Sequence, residues 1–242
     1  MDRILYTAMS GAKQSLARQD TLANNIANAS THGFRADTVA FRAVPLQTDA
    51  AGTRVFVVET STGSNLAPGS MMRTDNELDI AVQGEGWIAV QAPDGSEAFT
   101  RNGALLVTAD GTLATAAGAP VMGGGGPISI PPDSQISIGS DGTVSVKTPG
   151  QSVINSVGRI KLVNPPAAEM VKGLDGLFRS RGGEAAADET VRIAGGMLES
   201  SNVNVVENMV SMIGAARQFE MQMKMLSTAE QNEQKSNQLL GA

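Results

Sequence analysis

The chain has 242 residues, no cysteine, 3% aromatic residues, 27 glycines and a net charge of −6. Without thiols it has neither disulfides nor thiolate chemistry, and so few aromatic rings leave little for nucleobases to stack on. The acidic balance excludes general binding to nucleic acid or anionic lipid, which takes clustered Lys and Arg.

The first ten residues, Met-Asp-Arg-Ile-Leu-Tyr-Thr-Ala-Met-Ser, lack the continuous apolar run of about 7–15 residues that a secretory signal needs. No segment approaches the ~20 apolar residues of a membrane span. The expectation is a soluble protein whose first helix belongs to the mature product, and which leaves the cytoplasm, if it does, by a route that cleaves no signal.

From Leu5 the apolar positions fall at Met9, Ala12, Leu16, Ala23 and Ile26, with Gln19 the one interruption of the ladder. Alternating steps of four and three put these side chains on one stripe of a helix, the seam by which helices pair. The spacing predicts a helix from about Arg3, capped by Asp2, to Ala29. Ser30-Thr31-His32-Gly33 then stops it, because glycine takes the positive φ that ends helices. Residues 1–35 thus form an N-terminal helical segment.

Residues 36–76 carry few helical signals and many breakers, Gly52, Gly63 and Pro68-Gly69 among them. They read as an extended linker with one short strand at Arg54–Glu59. From Glu77 the period changes to two, with Leu78, Ile80 and Val82 alternating with Asp79 and Ala81. The same alternation returns at Ile88/Val90, Ile128/Ile130, Ile136/Ile138, Val144/Val146 and Ile160/Leu162. Asp94-Gly95, Asp110-Gly111 and Asp141-Gly142 fall between such runs, and Asp-Gly is a strong hairpin signal. Residues 77–195 therefore read as a β domain of many short, mostly antiparallel strands. Its last part is looser, with strands expected at Gly176–Arg179 and Thr190–Ile193.

Residues 196–242 return to the helical period. Asn204 is suited to cap the helix, with Glu207 three residues on. Val205, Met209, Met212, Ala216, Phe219, Met223 and Leu226 then repeat the four-and-three ladder without interruption. Residues 1–35 hold four Lys and Arg against two carboxylates, and residues 196–242 hold three against five. The opposite signs favour pairing of the two helices, although exposed ion pairs contribute only about 0–1 kcal/mol each. The expected fold class is α+β: N- and C-terminal helices pairing as a coiled-coil-like core, with a central, mostly antiparallel β domain.

Candidate catalytic patterns fail on context. Gly84-Glu85-Gly86-Trp87-Ile88-Ala89 matches the dinucleotide fingerprint, but a strand pattern follows where a helix N-terminus would have to receive the pyrophosphate. After Gly123–Gly126 comes Pro127, which removes a backbone donor that a phosphate loop would need. Asp75, Glu77 and Asp79 would share one face of a strand, yet lack the Gly and distal Glu of a calcium loop. His32 is the sole histidine and has no nucleophile elbow to serve. Asn28-Ala29-Ser30 matches a glycosylation sequon without other signs of a eukaryotic secreted chain. Met209, Met212, Met221, Met223 and Met225 suit an adaptable packing surface better than a metal box. No catalytic residue, metal ligand or cofactor is expected.

Ala23-Asn24-Asn25-Ile26-Ala27-Asn28 followed by Thr31-His32-Gly33-Phe34 resembles the N-terminal signature of the bacterial flagellar rod and hook proteins. Leu198-Glu199-Ser200-Ser201-Asn202-Val203-Asn204 resembles their C-terminal signature. Leu78-Asp79-Ile80-Ala81-Val82, Gly86-Trp87 and Phe99-Thr100-Arg101-Asn102-Gly103 look like the β domain shared between them. Within the family the narrower likeness is to proximal-rod members, on Arg42-Ala43-Val44-Pro45, Gly84–Gln91 and Phe219–Lys224; distal-rod members are the alternative. His32 stands where the family usually has Pro, and Asn204 where Asp is common.

The resemblance implies a structural subunit of the basal-body rod that is no enzyme. It implies export by the flagellar type III apparatus and assembly in the periplasm. Its partners would be proximal and distal rod subunits and copies of itself, with no nucleic acid and no membrane span. The two ladders would supply the assembly interface, with Gln19 fixing helix register. Against this stands a periplasmic module whose β domain binds a cell-wall glycan or peptide, which the scarcity of aromatics for sugar stacking disfavours. A hydrolase would need paired carboxylates facing one cleft.

Overall fold

The computed structural model describes residues 2–45, 55–148 and 153–240. Helix α1 spans Asp2–Ala27. Strands β1 (Asp37–Pro45) and β2 (Val55–Ser64) follow as an antiparallel hairpin with a bulge between Ala40 and Phe41. The body then runs through β3 (Met71–Arg73), β4 (Ile80–Gln83), β5 (Trp87–Gln91), β6 (Glu97–Thr100), β7 (Leu105–Val107) and β8 (Leu113–Thr115). It continues with β9 (Met122–Gly123), β10 (Gly126–Pro127), β11 (Gln135–Ile138), β12 (Thr143–Lys147), β13 (Asn155–Arg159) and β14 (Leu162–Val163). A single 3₁₀ turn at Ala167–Glu169 precedes β15 (Met170–Lys172), β16 (Phe178–Ser180), β17 (Arg192–Gly195) and β18 (Met197–Glu199), and helix α2 closes the chain at Val205–Leu240. The fold is α+β: two helices, with strands that pair antiparallel throughout the described ladders.

The chain divides into two compact units. One comprises Met1–Ala29, Asp37–Asn65 and Val203–Ala242; the other comprises Ser30–Ala36 and Leu66–Asn202. Where the sequence suggested an extended linker with one short strand at 54–59, the structure has the β1–β2 hairpin, with Asp37 opposite Ser64 and Pro45 opposite Val55. Residues 46–54, including the start of that expected strand, lie outside the described residues.

In the first unit the helices contact each other. Among the covered positions, one row on α1 runs through Ala8, Ala12, Ser15, Gln19, Leu22 and Ile26, and one on α2 through Val205, Asn208, Met212, Ala215, Phe219, Gln222 and Leu226. Both sets advance in steps of four and three, and the most buried members are small: Ala8, Ala12, Ser15 and Ala215. A Cβ added at Gly11 would lie 3.1 Å from the Gln222 amide group, which packs over that glycine. Asn204 caps α2 as expected, its Oδ1 accepting from Glu207 N at 3.2 Å.

The second unit is built on a five-stranded sheet of order β14-β5-β6-β16-β15. β5 is buried on both faces. Ile88 and Val90 join a cluster with Ile80, Val82, Leu113, Val121 and Ile193, while Trp87 and Ala89 pack on the other face with Phe99, Val163 and Phe178. The Trp87 and Phe178 rings sit 4.6 Å apart, tilted by 43°. A strand covered on both sides explains why Trp-Ile-Ala-Val reads as an apolar run rather than a strict alternation. The three Asp-Gly pairs turn as their chemistry dictates: Gly95, Gly111 and Gly142 have φ of 82°, 76° and 87°. They join β5 to β6, β7 to β8 and β11 to β12.

The other motifs resolve locally. Gly84 and Gly86 turn the chain from β4 into β5, so a strand follows the dinucleotide-like pattern. Gly123–Gly126 form the tight β9–β10 hairpin. Asp75, Glu77 and Asp79 do not share a strand face. Asp75 takes a positive φ of 56° and pairs with Arg73 at 2.5 Å, whereas Asp79 is buried with its Oδ1 accepting from Asn76 Nδ2. After Gly195-Gly196 the chain makes one more strand, β18, before the helix, a short element the sequence reading did not resolve. Among the described residues no helix is long and apolar enough to cross a membrane.

Candidate assembly interface

The two expected helical stripes divide between covered and open positions. On α1, Ala12 is buried and Gln19 and Ile26 are half-buried, but Met9, Leu16 and Ala23 are exposed. The side chain of Leu5 lies outside the described residues. On α2, Val205, Met212, Ala216, Phe219 and Leu226 are half-buried, while Met209 and Met223 are exposed. The covered row of α1 therefore lies one position to the side of the expected row, through Ala8, Ser15 and Leu22 instead of Met9, Leu16 and Ala23. Small side chains allow close approach of the backbones, so the covered face carries the small residues and the bulky ones point away.

That outward set is large. It comprises Tyr6, Met9 and Leu16 on α1, and Val206, Met209, Val210, Ile213, Met221, Met223 and Met225 on α2. Val206 and Val210 are 71% and 65% exposed, in the first two turns of α2 where the chain is otherwise well anchored by its cap. Scattered apolar residues on a surface are ordinary, but contiguous ones on a helix mark an interaction face. The Met residues add adaptability, because an unbranched thioether side chain fits irregular neighbours.

The signature residues do something different. Asn25 is 97% buried in its own unit: its Nδ2 donates to Asp37 O at 2.9 Å, and its Oδ1 accepts from Asp37 N at 2.7 Å. It thereby fastens the end of α1 to the start of β1. Asn28 Nδ2 donates to Asn24 O at 3.0 Å, closing the last turn of the helix. Thr31 and Phe34 close the next turn, Phe34 N donating to Thr31 O at 3.3 Å. Gly33 has φ +69°, and a Cβ there would fall 2.3 Å from the Arg101 carbonyl carbon. Only glycine fits that position, on both backbone and space.

In the second unit these segments converge on a buried charge cluster that the sequence reading did not single out. Glu199, fully buried, pairs through Oε1 with Arg35 Nη1 at 2.6 Å and through Oε2 with Arg101 Nη1 at 3.1 Å. Its Oε1 also accepts from Gly69 N at 2.8 Å. Arg101 donates further to Gly84 O at 2.7 Å and Val82 O at 3.3 Å. Both guanidinium groups lie over Trp87, 5.9 Å and 5.4 Å from the ring centroid for Arg35 and Arg101. The cluster carries one more cation than carboxylate, and the face of the indole offers the second cation partial compensation. Burial pushes the Arg101 pKa down, and the charge of Glu199 opposes that shift.

Around this cluster, Asn202 Oδ1 accepts from Ala36 N at 2.7 Å and its Nδ2 donates to Ala67 O at 2.8 Å. Lys172 Nζ donates to Arg35 O at 2.9 Å and sits 3.8 Å from the Phe34 ring centroid. Ser201 and Val203, half-buried, flank Asn202 where the chain leaves β18 for α2. The signature residues thus fasten the chain where it enters and leaves the β body. Arg35 and Glu199 were visible in the sequence as full charges inside otherwise small and polar motifs, the one signal that could have marked them.

A long outward apolar face on two terminal helices, with a body locked at both chain crossings, defines an assembling structural subunit. Comparison with known proteins gives the class its family. Residues 5–35 match the flagella basal body rod protein model, 81–146 the flagellar hook protein FlgE/F/G D1 domain, and 194–239 the flagellar basal body rod FlgEFG protein C-terminal model. The flagellar basal-body rod protein FlgF of Escherichia coli (strain K12) is 46% identical over 99% of both chains, and that of Salmonella typhimurium is equally so. FlgG of Buchnera aphidicola from Schizaphis graminum is 33% identical over 97% of this chain and 98% of its own. The chain belongs to the flagellar basal-body rod and hook protein family.

Proposed function

We propose that this chain is a structural subunit of the proximal part of the flagellar basal-body rod. It joins neighbouring rod subunits and copies of itself through the outward faces of its terminal helices, and it passes torque across the periplasm. The observation that carries this is the outward row Val206, Met209, Val210 and Ile213 on a capped helix, which leaves bulky apolar side chains in water unless a neighbour covers them. Two FlgF relatives at 46% identity over 99% of both chains support the proximal over the distal position.

The covered positions at steps of four and three support a coiled-coil-like pairing of the two helices, with Gln19 on that covered row where a polar side chain fixes register. The rod reading further entails export by the flagellar type III apparatus without a cleaved signal, and a role without catalysis. The test is a strain carrying Val210→Asp with Ile213→Asp. The expected result is a full-length, folded and exported protein absent from purified basal bodies, with rods arrested below its level. Rods of normal length and composition would overturn the reading.

A further inference from the structure

The chain has twelve methionines and no cysteine. Its single Trp is buried, so the thioethers are the groups that a two-electron oxidant meets first. They are not equally open to one. Met122, Met170, Met197 and Met212 are half-buried, whereas Met209, Met221, Met223 and Met225 stand exposed along α2. An oxidant has to reach the sulfur, so exposure decides which methionines react.

Two of the exposed four lie on the outward apolar face itself. Counting about 100° per residue, Met221 and Met225 fall within about 60° of the direction of Val210. They carry the row Val206, Val210 and Ile213 about three turns further toward the C-terminus, and they are 63% and 50% exposed. Arg217 stands four residues before Met221 and Lys224 three residues after it, both exposed. Residues at those spacings are neighbours on a helix surface.

Oxidation changes what this face can do. The lone pair of the thioether sulfur attacks one oxygen of a peroxide. The O–O bond breaks, a sulfur–oxygen bond forms and water leaves, so sulfur gives up two electrons and the peroxide takes them. The product is a sulfoxide, polar where the thioether was apolar. On the free chain its oxygen stays in water, with the Arg217 and Lys224 donors close by, and the fold loses nothing. Under an apolar neighbour the same oxygen would be stripped of water without a partner, which opposes docking.

We propose that Met221 and Met225 are a reversible oxidation site that closes the outward face of α2 to its neighbour while the chain stays folded. The proposal rests on the assembly reading above and adds a control to it. A chain oxidised before assembly is kept out, and a thiol-driven methionine sulfoxide reductase makes it competent again.

The test begins with dilute hydrogen peroxide on the purified full chain. Peptide mass spectrometry is expected to find sulfoxide at Met221 and Met225 several-fold sooner than at Met122 and Met197, with the helical signal and its melting midpoint unchanged. Methionine sulfoxide reductases of both epimer specificities, with dithiothreitol, are expected to restore the original mass. In cells, Met221→Gln with Met225→Gln puts a polar acceptor of similar length at both positions. That pair is expected to give a folded, exported chain largely absent from basal bodies, while Met221→Leu with Met225→Leu fills rods as the parent does. Equal oxidation of open and half-buried methionines would overturn the proposal, and so would a Gln pair that fills rods as well as the Leu pair. In that second case the Val210→Asp, Ile213→Asp strain separates the two failures. Arrested rods there strike only the methionine site, and normal rods strike the assembly reading with it.

Discussion

The two units of this chain bury opposite kinds of residue. In the β body the branched and aromatic side chains are inside, with Ile80, Ile88, Phe99, Leu113 and Ile193 fully covered or nearly so. In the helical unit the most buried side chains on the helices are Ala8, Ala12, Ser15, Asn25 and Ala215, while Tyr6, Met9, Val206, Val210 and Ile213 stand more than half exposed. The body buries large apolar groups in two clusters, although Val153, Ile154 and Leu174 stand open on its surface. The helix pair keeps its smallest residues on its covered row and leaves Met, Val and Ile in water, which is the face proposed above for a neighbour. The difference predicts where a substitution damages the chain and where it damages only assembly.

The largest effect on the single chain is expected in the body. Glu199→Gln leaves Arg35 and Arg101 buried without a counter-charge, and breaking a buried pair from one side costs about 3–5 kcal/mol. Urea unfolding of the β signal checks it, and a loss under about 1 kcal/mol would show that Trp87 and backbone carbonyls alone carry the two cations. Adding Arg35→Met to Glu199→Gln is expected to recover part of the loss, since the two residues share one interaction.

That cluster also shows where a sequence stops being legible. The Asp-Gly turns and the alternation at Ile136/Ile138 and Val144/Val146 were readable because each is decided within a few residues by φ and by side-chain period. Arg35, Arg101 and Glu199 meet only because three distant segments cross, and no local pattern encodes a crossing. The strand expected at 54–59 overlaps β2, but β1 and its pairing escaped for a related reason: the strands define each other by pairing, and Thr38 to Ala40 opposite Ser61 to Gly63 have no strong period of their own. On the helices the four-and-three period was legible but its phase was not. Ala12, Gln19 and Ile26 belong to both candidate rows, and bulky Met9 and Leu16 drew the reading toward the flank that the structure leaves open.

A smaller loss is expected at the seam. Ala215→Leu forces bulk into a position 2% exposed, where overpacking costs about 1–3 kcal/mol. The helical signal is expected to melt earlier while the β body melts as before, and thermal scans following each signal separately would show it. A shared shift of both transitions would mean that the units do not unfold independently.

Acid is expected to act on the body's turns. The Ser96, Thr143 and Thr190 hydroxyls and amides hold the carboxyls of Asp94, Asp141 and Asp188 below their ordinary pKa. A lowered carboxylate pKa stabilises the fold above the unfolded value of about 3.9, and that contribution fades as the pH falls through the folded value. Stability is therefore expected to be flat from pH 7 to about 5 on account of these groups and to fall below about 4. Asp141→Asn is expected to flatten the acid limb slightly, because Asn accepts from the Thr143 amide without titrating. Guanidinium unfolding across that range measures it, and an unchanged limb would remove Asp141 from the explanation.

The smallest effect on the isolated chain is expected where assembly is most sensitive. Val210→Ser and Ile213→Ser change side chains 65% and 56% exposed, and surface substitutions of this kind shift stability by only about 0.5 kcal/mol in either direction. The same pair is expected to abolish incorporation into rods, because the lost apolar area is area that a neighbour would cover. Met212→Asp and Phe219→Asp make the contrast sharp: both residues are half-buried on the covered row, so they are expected to weaken the helix pair and assembly together. If the Ser pair weakened the monomer as much as the Asp pair, the outward face would be part of the chain's own packing and the distinction between seam and interface would collapse. If the Ser pair spared both stability and assembly, neighbours would be reading other surfaces, the exposed Phe41 and Val44 of the β1 strand first among them.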